Sequence, residues 1–165
     1  MKCTHLFSII DFQAENIIPV ISGNFPGFTY NNAHNPIGLF GFIDDVKVDF
    51  VKYHYYQLIQ QPLIENGIRL FSIPDISAMK IAAILKRGVK KDFWDISELL
   101  AHYSIDDLIN FYNSKYPNQQ LLISIPQALT YFADAEDSED PISLKGQTWA
   151  KVKKHIQQKV NNYLH

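Results

Sequence analysis

The chain has 165 residues, 47% of them hydrophobic and 19% charged, with a formal net charge of −2. That is the balance of an ordinary globular domain with enough chain for a real core, and it gives no global field to recruit nucleic acid or a membrane surface. A single cysteine, Cys3, excludes an internal disulfide framework and a cysteine-rich zinc module. No apolar run reaches the roughly 20 residues of a membrane span, and no signal peptide is visible, so a cytoplasmic protein without a membrane partner is expected.

In chain order, residues 3–10 read as a short strand and 12–22 as a short helix, followed by a turn-rich stretch at 22–27 and a loop at 31–36. Residues 37–43 and 46–53 are strand-like runs separated by Asp44 and Asp45, the pattern of a β-hairpin. Residues 68–73 form a third apolar run, read as a strand. Beyond it the periods become helical. Pro74 and Asp75 suit a helix start and Gly88 a stop. Further helices are expected at 90–102, at 105–115 capped by Ser104, from Ser124 and Pro126, and at 148–164. An acidic loop at 134–140 precedes the last helix, which carries Lys151, Lys153, Lys154 and Lys159.

Strands first and helices later indicate an α+β fold, a small mixed or antiparallel sheet followed by a helical part, and argue against a doubly wound βαβ fold. The expected division is a sheet region at 1–73 and a helical region at 74–165, packed as one compact unit.

On the strand from Val46, the side chains of Val46, Val48 and Phe50 share one face, and Lys47 and Asp49 share the other. An exposed carboxylate beside an exposed lysine accounts for Asp49 locally. The stretch 76–85 is apolar almost all round, with Lys80 its one charge. Stripping water from an ammonium group is costly, so Lys80 is expected to reach an acid, an anion or a wet cleft; snorkelling along its own stem is the plainer alternative. Arg87 follows seven residues later on the same face. A lysine as a point charge and an arginine as a fork can together hold a polyphosphate. From Lys80 to Lys91 there are five basic residues and no acid. Cations at a helix C-terminus also complement its dipole, which explains Lys86 and Arg87 better than Lys80. Asp92 suits the start of the next helix, and Lys91 with Asp95 is an i, i+4 pair. The six histidines show no metal-ligand spacing, and no glycine-rich phosphate loop or nucleophile elbow is present.

Together, Lys47-Val-Asp-Phe50, Gly67-Ile-Arg-Leu70, the helix Pro74-Asp-Ile-Ser-Ala-Met-Lys-Ile-Ala-Ala-Ile84 and the stretch from Arg87 through Lys91 and Asp92 to Asp95 resemble the AbiEii/AbiGii nucleotidyltransferase toxins of the DNA polymerase β-like superfamily. The tail, Ala128 to Glu136 and Trp149 to Lys153, is similar to that family's C-terminal region. The resemblance implies transfer of a nucleotidyl group from an NTP to a hydroxyl acceptor such as RNA, with magnesium ions held by three carboxylates, and a toxin–antitoxin or phage-defence role with an antitoxin partner.

It makes Asp49 the third metal-binding, catalytic carboxylate, Lys80 and Arg87 the nucleotide-binding cations, and Lys91, Asp92 and Asp95 supporting residues. The family's Asp-x-Asp-Leu-Phe strand corresponds to Cys3-Thr-His-Leu-Phe7, so Cys3 and His5 stand where two carboxylates are expected. Magnesium prefers hard oxygen ligands. The sequence begins two residues before Cys3, with no Gly-rich phosphate segment ahead of it. The resemblance therefore implies a truncated, degenerate member that lacks transferase activity alone. One alternative is an active enzyme completed by a partner or an upstream segment. Another is a non-catalytic module that binds RNA or protein through its basic helices. A missing strand leaves a sheet edge, and dimerisation through it is a further expectation.

Overall fold

The computed structural model describes residues 4–8, 13–52 and 57–165. The fold is α+β, and the chain divides into two compact units between Gln57 and Leu58.

The first unit is a mixed four-stranded sheet with one helix. Its elements are β1 (Thr4–Ser8), α1 (Ala14–Asn24), β2 (Phe28–Tyr30), β3 (Gly38–Ile43) and β4 (Val46–Lys52). The strand order is β1-β4-β3-β2. β3 and β4 form the expected hairpin, closed through Asp44 at φ 51°, a left-handed conformation that aspartate tolerates. β1 runs parallel to β4, with His5 opposite Asp49 in the ladder. Ala14, Ile21, Phe28 and Leu39 make a small core, joined by Ile17, Ile18, Ile43 and Phe50. β2 was not anticipated; its three residues pair antiparallel with β3 and put Phe28 into that core.

The second unit opens with β5 (Leu63–Glu65) and β6 (Ile68–Leu70), an antiparallel hairpin. Asn66 and Gly67 both have positive φ (51° and 79°), the pairing that a two-residue hairpin turn requires. Five helices follow: α2 (Ile73–Lys86), α3 (Lys90–Leu99), α4 (Ile105–Lys115), α5 (Ile125–Thr130) and α6 (Trp149–Leu164). The strand expected over 68–73 is shorter, because Ser72 ends it. The Ser72 hydroxyl accepts from the Asp75 amide as an N-cap, so Ile73 and Pro74 already belong to α2.

The helix expected over 90–102 also stops early. The amides of Ala101 and His102 donate to carbonyls three residues back, which tightens the end of α3 into a turn before Ser104 caps α4. Ser104 with Asp107, and Ser124 with Gln127, form reciprocal capping boxes at α4 and α5. Ile81 of α2, Phe93 and Ile96 of α3, Leu108 of α4, Leu129 of α5 and Ile156 of α6 are wholly buried in one core. Val152, Ile156 and Val160 are the buried stripe of α6, at four-residue spacing. Among the described residues no helix is long and apolar enough to cross a membrane.

Candidate functional site

Asp49 lies in the middle of β4, between β1 and β3, with His5 and Phe40 as its ladder partners. The strand period places it on the face opposite Phe50, which packs with the α1 core. The expected exposed carboxylate is in fact buried, at 7% exposure. Lys47 remains its neighbour, with Nζ 3.5 Å from Oδ2. Oδ1 is buried with no hydrogen-bond partner. An unmatched buried carboxylate oxygen is costly, and it is a hard donor of the kind magnesium takes. A two-ion centre needs more than one such group, however. Among the described residues, no three His, Cys, Asp or Glu side chains are grouped to hold a metal. The described donors by themselves do not make up the ligand set of a magnesium pair. Cys3 lies outside the described residues.

In the second unit, α2 and α3 bring Lys80, Arg87, Asp92 and Asp95 together. Arg87 closes α2, and Gly88 at φ 48° turns the chain so that α3 starts at Lys90. Asp92 and Asp95, one turn apart on α3, thereby face the cations of α2. Lys80 Nζ is 2.6 Å from Asp95 Oδ2 and 3.3 Å from Asp92 Oδ1. Burial works against the charge on Lys80, but the hydrogen bond and field of Asp95, followed by Asp92, outweigh it and raise its pKa above 10.5. Lys80 thus reaches acids rather than snorkelling to water.

Asp92 is buried to 1% exposure, while the side chains of Asp95 and Arg87 are about half exposed. Arg87 Nε stands 3.8 Å from Asp92 Oδ2, beyond hydrogen-bond reach, and that oxygen has no hydrogen-bond partner. Lys91 is exposed. The i, i+4 pair expected between Lys91 and Asp95 does not form, because Asp95 turns to Lys80 instead.

The acidic loop is also tied down. Lys90 pairs with Asp140 at 2.8 Å, and the Lys90 amide donates to Ser138 Oγ. Glu136 accepts from both Lys153 and the Trp149 indole, so Lys153 of the basic last helix has an acid of its own.

One charged pair escaped sequence reasoning. Asp75 and Lys115 have fully buried side chains, with Nζ 2.7 Å from Oδ1. Asp75 also accepts from the amides of Ile59 and Gln60 and from the Ser72 hydroxyl. Burial opposes its ionisation, yet Lys115, Ser72 and the two amides together hold its pKa below 3.8. An acid at the start of a helix buried on most sides was the available signal, but nothing local to Lys115 pointed to it.

Residues 28–161 match a family model described as the nucleotidyl transferase AbiEii toxin of type IV toxin–antitoxin systems. The chain belongs to the AbiEii family. The matched span takes in Asp49 and the whole Lys80 cluster and starts after β1, so Cys3 and His5 precede it. The AbiEii chain is also 34% identical over 127 residues to an uncharacterized protein of Aquifex aeolicus (strain VF5), a match that covers 74% of this chain and 59% of that relative. The chain therefore spans less than two thirds of the length of the relative it matches. No solved structure gives a significant match.

Proposed function

We propose that this AbiEii chain is a nucleotidyltransferase-like protein of a toxin–antitoxin system, one that holds an NTP through Lys80 and Arg87 and lacks transferase activity alone. The observation that carries the second half is the ladder partner of Asp49, which is His5 and not an acid. Two-ion nucleotidyl transfer asks several carboxylates to hold the ions that stabilise the attacking and leaving oxygens, and Asp49 by itself is one. The first half is supported by two cations flanking a single buried carboxylate at the α2–α3 turn, with Lys86, Lys90 and Lys91 close by in the chain.

In this reading Lys80 supplies a point charge and Arg87 a planar fork to phosphate oxygens, and Asp92 keeps both aimed at one place. An NTP, an RNA acceptor and an antitoxin are the proposed partners. Equilibrium binding of ATP to the protein and to its Lys80→Met and Arg87→Met variants tests the nucleotide site. Both variants are expected to weaken binding; equal binding by all three proteins would remove Lys80 and Arg87 from it.

A second reading, an active transferase completed by another polypeptide, is favoured by Asp49 Oδ1, a buried carboxylate oxygen with no partner. It predicts Asp49-dependent transfer only in the presence of that polypeptide.

A further inference from the structure

We propose that Asp95 sets the affinity threshold of this site: it is an internal counter-ion that an incoming phosphate must displace from Lys80, so that a monophosphate gains almost nothing while a polyphosphate that also reaches Arg87 still binds. The inference rests on the Lys80–Arg87 site proposed above.

The two acids facing Lys80 are not equivalent. Asp92 is fixed: it is buried to 1% exposure and lies between Lys80 and Arg87, one oxygen toward each. Moving it would carry a buried carboxylate away from both of its cations. Asp95 is half exposed and makes the shorter contact, 2.6 Å, with the Lys80 ammonium. It can swing into water at little cost, since partly exposed ion pairs contribute little net stability. Of the groups around Lys80, Asp95 is therefore the one that yields.

The exchange is one ion pair for another. Lys80 Nζ stops donating to Asp95 Oδ2 and donates to a phosphate oxygen, while Asp95 becomes hydrated. A monophosphate that makes this single exchange gains about what it displaces. A triphosphate also reaches Arg87, whose guanidinium is half exposed and makes no hydrogen bond to Asp92. It therefore gains a second charged contact for the same displacement. Asp95 sets a threshold that only a ligand with several charges passes.

The test is equilibrium binding of inorganic phosphate, AMP, inorganic tripolyphosphate and ATP to the wild-type protein and to Asp95→Asn. Asparagine keeps the shape and the exposed position but removes the charge. Phosphate and AMP are expected to bind roughly fivefold more tightly to the variant. Tripolyphosphate and ATP make the same displacement and are expected to gain by a similar factor, so that monophosphate binding rises while the preference for polyphosphate, set by Arg87, stays. No gain for any of the four ligands, or a gain confined to the polyphosphates, overturns the inference. Lys80→Met and Arg87→Met separate the two layers. If ATP binding depends on both cations while Asp95→Asn leaves the affinities unchanged, the threshold fails and the site stands. If ATP binding ignores both cations, the site fails and the threshold with it.

Discussion

The Lys115 ammonium lies 2.7 Å from Asp75 Oδ1 with both side chains fully buried, forty residues apart in the chain. The pair joins the first turn of α2 to the last turn of α4, and through the Ile59 and Gln60 amides it also fixes the segment that enters the second unit. Removing one partner strands the other charge in the core. Lys115→Met is therefore expected to cost about 3–5 kcal/mol, and Asp75→Asn to be similarly severe. Urea unfolding of the two single variants and the double variant checks this, with the double variant less destabilised than the sum of the singles.

Asp75 also sets a pH dependence. Its folded pKa lies below 3.8, so below that pH the unfolded state binds more protons than the folded state. The stabilisation is fully present above 3.8 and is lost as pH falls through the depressed value. Denaturant midpoints between about pH 2 and pH 6 should fall more steeply on acidification for wild type than for Asp75→Asn.

Lys80 acts at the other end of the scale. Its pKa is raised above 10.5, so its contribution is complete below 10.5 and is lost as pH rises through the higher folded value. Lys80→Met leaves the buried Asp92 carboxylate without its hydrogen-bonding cation and is expected to destabilise by about 2 kcal/mol, less than a wholly buried pair because Lys80 keeps some contact with water. Asp95→Asn, at a half-exposed position, should cost less than about 1 kcal/mol. Thermal unfolding of the two variants at neutral pH distinguishes them.

Gly67 gives a local prediction. At φ 79° an alanine Cβ meets no other atom within 4 Å, so Gly67→Ala strains only the backbone, by about 1 kcal/mol. The hairpin is exposed on both strands and packs little. Amide exchange of β5 and β6 should accelerate while the unfolding of the helical core stays where it was.

The side of the sheet that carries Asp49 was legible in the sequence, because strand periodicity fixes it; its burial was not, since what covers a face is not written in the strand itself. Lys80 announced that it needed a partner by being the one charge in the apolar stretch 76–85. Which acid answers it depends on the turn at Gly88, and so Asp95, expected to meet Lys91 one turn away, meets Lys80 instead. The β5 strand was within reach: Asn66-Gly67 is a strong hairpin signal, hidden because the apolar run after it read as one strand continuing to Ile73. The Asp75–Lys115 pair had half a signature: an acid opening a helix buried on most sides marks Asp75, whereas the neighbours of Lys115 do not differ from those of an ordinary helix end.

The central claim, that this AbiEii chain does not transfer nucleotides alone, is tested most directly by incubating the purified protein with magnesium, each labelled NTP in turn and bulk tRNA, beside its Asp49→Ala variant. The two proteins are expected to give the same background label. Label transfer by the wild type that Asp49→Ala abolishes would contradict it.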